Sequence, residues 1–300
     1  MKKNREDLID KLGFIGLGSI GLPIAANLTK AGFKLKVHTR SREAENDIRL
    51  KGTKSCSSPK EAAHDSSVLI ICVSDGNAVD EVIFGEEGAS TSLSKGSIII
   101  DLSTISPSKS RLISSKLANK EIKYIDAPVT GGTEGAINGD LTIFIGTNRQ
   151  IFSKVEHILD VIGSKLFIFD DVGKGQEVKA INQILVAGSY ASVAEAISLG
   201  ESLDLPMKKV IEALSGGAAS SWALSNRSTS MLENNYPLGF KLQLHHKDLS
   251  IALRIAEQSR LRLPLCQTIL ELEEELIKDG YKNEDLAVLK RSIIKSAKIK

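Results

Sequence analysis

Three glycines near the start of the chain constrain its fold more than any other feature. Gly16, Gly18 and Gly21 follow a short apolar strand and open a helix rich in small residues, with the spacing G-x-G-x-x-G. Glycine permits a tight turn, lets backbone N–H groups approach a pyrophosphate at a helix N-terminus, and allows close packing of helix on strand. This context predicts a dinucleotide-binding βαβ unit, with Ser19 and Ile20 among the cofactor contacts. A purely structural glycine turn is the alternative.

The end of the second predicted strand bears on which dinucleotide is bound. An NAD enzyme usually places an acid there for the ribose 2′-hydroxyl, whereas this chain has Thr39, Arg40 and Ser41. A second arginine, Arg42, follows. Because a guanidinium suits a 2′-phosphate, we predict NADP as the preferred cofactor and NAD as the second choice. A solvated arginine pair beside Glu43 is the competing interpretation.

The following segments alternate between buried strands and helices. Predicted strands at 68–73 and 98–100 are both followed directly by polar residues. Such alternation predicts a parallel, doubly wound sheet that binds ligands beyond the carboxyl ends of its strands. Val73, Ser74 and Thr104 are therefore candidate cofactor contacts, and serines that only cap turns are the alternative.

A glycine-containing turn later in the chain is a candidate substrate site. Thr130, Gly131 and Gly132 follow a predicted strand and a proline. Exposed backbone N–H groups in such a turn can hold a carboxylate. A plain hairpin turn explains the same spacing equally well.

The segment from Gly173 to Leu203 has no proline and is apolar at helical spacing, which predicts one long buried helix. Lys179, Asn182 and Gln183 stand at i, i+3 and i+4. This spacing places an amine and two carboxamides on one face of the first turns. The simplest interpretation is a helix that joins two domains and has a solvated first turn.

The pattern after this helix is helical to the end of the chain. The predicted fold is thus an α/β Rossmann-type doubly wound sheet at 1–172, followed by an all-α domain at 173–300. The acidic run 271–275 predicts a solvated helix face, and Lys247 with Asp248 predicts an ordinary helical ion pair.

Composition excludes several classes of partner. The 300 residues are 42% hydrophobic with a net charge of +2, which is too balanced for a nucleic-acid or membrane surface. Three scattered cysteines imply neither a disulfide framework nor a metal site. The polar start of the chain does not resemble a signal peptide. We therefore predict a cytoplasmic protein, with the basic tail at 290–300 solvated.

Four motifs stand in one order along the chain: GFIGLGSIGLPIAANL, DAPVTGG, GKGQEVKAINQ and HHKDL. In this order they resemble the β-hydroxyacid dehydrogenase family, which includes 3-hydroxyisobutyrate dehydrogenase, tartronate semialdehyde reductase and the glyoxylate/succinic semialdehyde reductases. The resemblance covers nearly the whole chain. It implies an N-terminal cofactor domain, an all-helical C-terminal domain joined to it by the long helix, and a homodimer or homotetramer.

The resemblance also implies roles for individual residues. Lys179 matches the family's catalytic lysine, and Asn182 matches the asparagine one turn later. Gln183 stands where a second asparagine is common, and the Lys-x-x-Asn-Gln form resembles the tartronate semialdehyde reductase branch. Thr130, with the two glycines after it, matches a substrate-cradling Ser-Gly-Gly. Lys247 matches a lysine that contributes to the active site in the family, so we include it among the substrate and cofactor contacts.

A member of this family would transfer hydride between a nicotinamide and a small 3-hydroxyacid or 2-hydroxyacid, or the matching semialdehyde or oxoacid. Lys179 would be the general acid and base. Two alternatives use the same scaffold: a non-catalytic dinucleotide-binding protein and an imine reductase, although imine reductases usually have another residue at the lysine position. A decarboxylating 6-phosphogluconate dehydrogenase would need a longer C-terminal domain.

Overall fold

The computed structural model describes residues 11–297. The predicted polar leader at 1–10 and residues 298–300 of the predicted basic tail lie outside this range. The chain divides into two compact units, of which the first ends at Lys179 and the second begins at Ala180. The division lies inside a helix, a few residues beyond the boundary that we predict at 172/173.

The first unit is an α/β domain. Its described strands are β1 Lys11–Ile15, β2 Lys34–His38, β3 Lys54–Ser55, β4 Val68–Ile71, β5 Ile98–Asp101, β6 Lys123–Asp126, β7 Val129–Thr130, β8 Thr142–Gly146 and β9 Lys165–Phe169. Its helices are α1 Gly21–Lys30, α2 Pro59–Ala63, α3 Gly76–Phe84, α4 Pro107–Ala118, α5 Gly132–Asn138, α6 Arg149–Phe152 and α7 Glu156–Ile162. The predicted doubly wound α/β fold is confirmed.

The long predicted helix is present as α8, Lys174–Ser202, 29 residues long. Its first turns belong to the first unit and the remainder belongs to the second. The second unit continues with α9 Met207–Ser215, α10 Trp222–Leu232, α11 Leu242–Gln258, α12 Pro264–Lys278 and α13 Lys290–Ala297. This unit is predominantly helical, as we predict.

Strands β1 to β6 are parallel, in the order β3-β2-β1-β4-β5-β6. Their register aligns the last residues of four neighbouring strands: Ile15, Ile71, Asp101 and Asp126. The chain segments that leave these strands therefore start at one edge of the sheet. That edge is where a parallel sheet binds ligands.

The far end of the sheet departs from the predicted parallel arrangement. β8 runs antiparallel to both β6 and β7, while β9 pairs with β8 in parallel. The pairs Asp126 with Gly146 and Val129 with Ile143 belong to one continuous register, so β7 extends β6 along the same side of β8. The connection from β7 to β8 contains only the short α5, whereas a parallel crossover takes a dozen or more residues.

Both faces of the sheet are covered by helices. Successive side chains of a strand point to opposite faces. Val68 and Ile70 accordingly pack in one core with α1, α5 and α7, while Leu69 and Ile71 pack in a second core with α2, α3 and α4. This two-sided burial explains why β4 and β5 are apolar throughout, without alternation.

The second unit has a core of its own, to which α8 contributes Tyr190, Val193 and Ile197. The prediction that the whole apolar stripe of α8 is buried is wrong for two residues. Ile181 and Leu185 are 60% and 69% exposed. They stand one turn apart on the same face of the helix, so this face carries apolar side chains that the described chain does not cover.

Candidate functional site

The turn between β1 and α1 has the geometry of a phosphate-binding loop. Gly16 has a φ of 99°, and a Cβ there would overlap the Cys72 carbonyl oxygen. A Cβ on Gly21 would overlap the Gly16 carbonyl oxygen, whereas Gly18 faces open space. Ser19 beside it is exposed, and the first turn of α1 carries no acidic residue. The turn leaves room for an anion where helix N–H groups have no partner within the helix.

Thr39 closes the turn after β2. Its side chain is buried, and its Oγ1 accepts the Leu17 N–H at 3.4 Å. Its own N–H donates to the Glu45 carboxylate at 3.1 Å. Thr39 thus connects the glycine turn to the segment that follows β2.

The two arginines after β2 have different surroundings. The Arg42 guanidinium donates to the Cys56 carbonyl oxygen at 2.7 Å and lies 3.2 Å from the Glu45 carboxylate. Arg40 and Ser41 are exposed. The structure therefore separates the predicted pair: Arg42 is part of the local framework, and Arg40 is accessible to a ligand.

The carboxyl ends of β4 and β5 are joined through Ser103. The Val73 N–H donates to Ser103 Oγ at 3.0 Å. The buried Asp101 carboxylate accepts the Ser103 N–H at 2.9 Å and the Tyr124 hydroxyl at 2.7 Å. Thr104, the predicted cofactor contact, follows directly and is half-buried. Asp101 therefore serves to hold the loop that carries Thr104.

Ser74 belongs to a helix cap. Its hydroxyl donates to the Asp75 carboxylate at 2.7 Å, and Asp75 accepts the backbone N–H groups of Asn77 and Ala78 at the start of α3. The residue that caps α3 is therefore Asp75, rather than a serine as the capping alternative predicts. The cofactor role of Ser74 stays a prediction.

Asp126, the last residue of β6, caps the long helix α8. It is fully buried, and its two carboxylate oxygens accept the Gly173 N–H at 2.7 Å and the Gln176 N–H at 3.0 Å. Burial raises the pKa of this carboxyl to about 7; the two N–H donors oppose that rise and the nearby Asp101 adds to it. This role of Asp126 is not predicted from the sequence, although the acid in DAPVTGG is visible there as a polar group at a strand end.

Gln176 makes a second connection between α8 and the sheet. It is 1% exposed. Its Nε2 donates to the Ser103 carbonyl oxygen at 2.8 Å, and its Oε1 accepts the Ile105 N–H at 3.1 Å. The role of Gln176 is likewise not predicted from the sequence, because its partners lie about seventy positions earlier in the chain.

Lys179 follows Gln176 by three residues and is 6% exposed. Residues at i and i+3 lie on the same side of a helix. Since Asp126 and Gln176 fasten the start of α8 to the carboxyl ends of β5 and β6, Lys179 stands one helical turn from the ligand-binding edge of the first unit.

Thr130 ends β7, and the chain then enters α5 rather than a hairpin. Gly131 and Gly132 have φ values of 129° and 65°, which strongly favour glycine. Because β7 extends β6 in the same direction, this turn lies beyond the carboxyl end of β6. The structure thus places the predicted carboxylate-binding turn at the same edge of the sheet as the predicted cofactor contacts.

The predicted site residues of the second unit form a hydrogen-bonded chain. Gln183 is 1% exposed; its Oε1 accepts the Asn182 Nδ2–H at 2.7 Å, and its Nε2 donates to the Asp248 carboxylate at 2.8 Å. Lys247 Nζ lies 2.9 Å from Asp248, which confirms the predicted ion pair. Asp248 thus connects Lys247 with Gln183, and Gln183 connects Asp248 with Asn182.

A buried ionic pair lies next to this chain. His245 Nδ1 and Glu273 Oε1 are 2.6 Å apart, both side chains are fully buried, and His245 Nε2 lies 3.4 Å from the Gln183 carbonyl oxygen. Burial opposes the charged imidazolium, but Glu273 and Asp248 outweigh it and raise the pKa of His245. The prediction of a solvated face at 271–275 is therefore wrong for Glu273, which the charge pattern alone could not distinguish from its neighbours.

Two further findings concern ligands and membranes. Among the described residues, no group of three or more His, Cys, Asp or Glu side chains is arranged to hold a metal ion. Over the same residues, none of the helices is both long enough and apolar enough to cross a bilayer.

Comparison with protein families identifies both parts of the chain. Residues 11–170 match the NAD binding domain of 6-phosphogluconate dehydrogenase, and residues 173–293 match the NAD-binding domain of NADP-dependent 3-hydroxyisobutyrate dehydrogenase. The chain belongs to the β-hydroxyacid dehydrogenase family. The family predicted from the four motifs is thereby confirmed.

Individual relatives agree with membership of the β-hydroxyacid dehydrogenases. The chain is 35% identical to 2-hydroxy-3-oxopropionate reductase of Escherichia coli, over 94% of this chain and 97% of that protein. It is 32% identical to 2-(hydroxymethyl)glutarate dehydrogenase of Eubacterium barkeri, over 93% of each. The crystal structure of 3-hydroxyisobutyrate dehydrogenase from Salmonella typhimurium superimposes with a TM-score of 0.86 at 26% identity, covering 94% of this chain and 99% of that one.

This β-hydroxyacid dehydrogenase is an NAD(P)-dependent oxidoreductase that acts on small hydroxyacids or their carbonyl counterparts. The relatives support that activity over imine reduction. The glycine turn fits the dinucleotide because a ligand has room at Gly18, and the residues that would hold it are the turn itself, Thr39 to Ser41, and the loops after β4 and β5.

Proposed function

We propose that the chain reduces a small carboxylated aldehyde to the hydroxyacid, with 2-hydroxy-3-oxopropanoate as the first candidate and Lys179 as the proton donor. The observation that carries the proposal is the buried Lys179, one turn beyond the point where Asp126 and Gln176 fasten α8 to the edge of the sheet. The substrate is suggested by the 2-hydroxy-3-oxopropionate reductase relative and by the Lys-x-x-Asn-Gln form.

The residues of this chain supply proton transfer and orientation. The nicotinamide dinucleotide, when bound, supplies hydride to the carbonyl carbon. Lys179 Nζ gives a proton to the carbonyl oxygen as negative charge develops there. Thr130 and the N–H groups of Gly131 and Gly132 hold the substrate carboxylate. Asn182, Gln183 and Lys247 are assigned to substrate orientation because they match the family motifs.

The substrate class is tested by following NADPH oxidation with 2-hydroxy-3-oxopropanoate, succinic semialdehyde, glyoxylate and methylmalonate semialdehyde. Glycolaldehyde is the matched control, since it is the first candidate without its carboxylate. We expect kcat/KM to be at least roughly 100-fold higher for the best carboxylated aldehyde than for glycolaldehyde, because glycolaldehyde lacks the carboxylate that Thr130 and the N–H groups of Gly131 and Gly132 would hold. Equal turnover of glycolaldehyde would contradict a carboxylate-binding site.

The role of Lys179 is tested with Lys179→Ala. Removal of the proton donor should lower kcat by roughly 10²- to 10⁴-fold, while NADPH binding, measured by fluorescence titration, is retained. Lys174→Ala is the control, because Lys174 lies at the start of the same helix, is exposed, and pairs with Glu177 at 2.8 Å. A kcat for Lys179→Ala within threefold of the control would remove Lys179 from the mechanism.

We further propose a preference for NADP, carried by Arg40. Arg40→Ala should raise the KM for NADPH by roughly tenfold and leave the KM for NADH unchanged, because only NADPH has the 2′-phosphate that a guanidinium binds. Arg42→Ala is the comparison. Arg42 is already engaged with Glu45 and the Cys56 carbonyl, so its loss should affect both cofactors alike. If Arg42→Ala alone changes selectivity, the assignment to Arg40 is wrong.

The proposals also include a homodimer or homotetramer and a cytoplasmic location. Ile181 and Leu185, both exposed on α8, are compatible with burial by a second copy. Light scattering on the purified chain measures the oligomeric state directly. A monomer at all concentrations would contradict this part of the proposal.

A further inference from the structure

The side chain of Gln176 both donates a hydrogen bond to one loop and accepts a hydrogen bond from it. The loop at 102–106 leaves the carboxyl end of β5, and Gln176 donates to the carbonyl of Ser103 and accepts the N–H of Ile105. A carboxamide offers a donor and an acceptor on one planar group, which suits a carbonyl and an N–H two residues apart. Because only 1% of the surface of Gln176 is exposed, water cannot replace these two hydrogen-bond partners.

The same loop is fixed on its other side. Ser103 Oγ accepts the Val73 N–H from the end of β4, and Asp101 accepts the Ser103 N–H. Thr104 stands between the two residues that Gln176 binds. The loop that presents a predicted cofactor contact is thus tied to the sheet by Asp101 and to helix α8 by Gln176.

We infer that Gln176 is a positioning residue that sets the spacing between Lys179 and the loop at 102–106, which carries the predicted cofactor contact Thr104. Its backbone N–H is held by Asp126 and its side chain by the loop, so one residue fixes both the start of the helix and its distance from the loop. Lys179 lies one turn further along the same rigid helix. The part of this inference that concerns proton transfer rests on the proposed role of Lys179.

The coupling is tested without turnover, by hydrogen–deuterium exchange of the full chain with and without NADPH. In the wild-type protein, NADPH should slow amide exchange both at 102–106 and at 174–179. In Gln176→Leu, which keeps the volume but removes both hydrogen bonds, NADPH should still slow exchange in the loop but no longer in the helix. Wild-type-like slowing in the helix of Gln176→Leu, or no slowing there in the wild-type protein, would overturn the inference.

Kinetics give the second measurement. Gln176→Leu should lower kcat by roughly 10- to 100-fold, because small displacements of a reacting group are costly, with the KM for the aldehyde changed less than about threefold. The control is Ser97→Ala, which removes a buried side-chain bond to the Ser66 carbonyl at the opposite end of β4 and β5. An equal loss of kcat in Ser97→Ala would mean that general loosening of the sheet, rather than Gln176, is responsible.

Gln176→Glu keeps the hypothesis testable if the leucine variant does not fold. A neutral carboxylic acid can donate to Ser103 and accept from Ile105, whereas a carboxylate can only accept. The kcat of Gln176→Glu relative to wild type should therefore rise as the pH falls, and a pH-independent ratio would count against the inference. If no carboxylated aldehyde is turned over even by wild type, the proposed function fails, while the exchange experiment still decides the coupling.

Discussion

Gly18 and Gly21 lie three residues apart in the turn after β1, but a methyl group would meet different surroundings at each. At Gly21 it would overlap the Gly16 carbonyl, whereas at Gly18 it would enter open space. We expect Gly21→Ala to lower the melting temperature by several degrees, corresponding to roughly 2 kcal/mol or more. Gly18→Ala should leave the melting temperature unchanged and weaken NADPH binding about tenfold.

Calorimetry and fluorescence titration of the two variants check this prediction. Each variant is the control for the other, since both add one methyl group to the same turn. Tight NADPH binding by Gly18→Ala would show that the open space at Gly18 is not occupied by the cofactor.

At the scale of single residues, the sequence predicts the role of a residue when that role depends on its neighbours in the chain. Gly16 has a positive φ, and a Cβ on Gly21 would overlap the Gly16 carbonyl oxygen five residues earlier, so both requirements are visible in the motif. Asp126, Gln176 and Glu273 escaped notice because their partners lie 28 or more positions away. The role of a buried polar side chain can be assigned only when its hydrogen-bond partners are known.

At the scale of elements, the buried carboxyl group that caps α8 should make the stability of the fold depend on pH. The pKa of Asp126 is raised to about 7 in the folded chain, above its ordinary value of 3.8. The folded state therefore binds this proton more tightly than the unfolded state. The resulting stabilisation is complete below about pH 4 and is lost as the pH rises through about 7, by up to roughly 4 kcal/mol.

Asp126→Asn removes this titration. The free energy of unfolding of wild type minus that of Asp126→Asn should fall between pH 5 and pH 8, as measured by urea unfolding at both values. Asp65→Asn is the control, because Asp65 is exposed. A difference that is the same at both pH values would mean that Asp126 does not titrate in this range.

The sequence predicted most elements but not the direction of two strands. β8 and β9 show the same apolar pattern as their parallel neighbours, and their orientation depends on how far the preceding connection can reach. Strand patterns specify burial, whereas direction follows from connection length and handedness. The long helix α8 was predictable to within one residue at each end because its periodicity extends over many turns.

At the scale of the whole molecule, each unit has its own core, and the single tryptophan reports on one of them. Trp222 lies on α10 in the second unit, whose interior also contains the His245–Glu273 pair. Glu273→Gln should destabilise this unit by roughly 3 kcal/mol, because it leaves a buried imidazole without its charge partner. The loss should shift the urea midpoint of tryptophan fluorescence.

The sign of the pH dependence follows from the raised pKa of His245. A raised histidine pKa stabilises the fold at low pH, and this contribution disappears as the pH increases. The effect of Glu273→Gln should therefore be larger at pH 6 than at pH 8.5. Glu271→Gln is the control, since Glu271 is exposed two positions away on the same helix; an equal shift there would contradict the role of the buried pair.

The continuous register of β6 and β7 against β8 has a consequence for how this chain can diversify. Two residue pairs, Asp126 with Gly146 and Thr130 with Thr142, set the register of β8. This register does not depend on the segment that connects β7 to β8. The exposed positions of this segment, Glu134, Ile137, Asn138 and Asp140, can therefore change without altering strand pairing, whereas the buried Ala136 and Leu141 belong to the core and must be kept. A library confined to these exposed positions should yield enzymes with new acid preferences on an unchanged sheet.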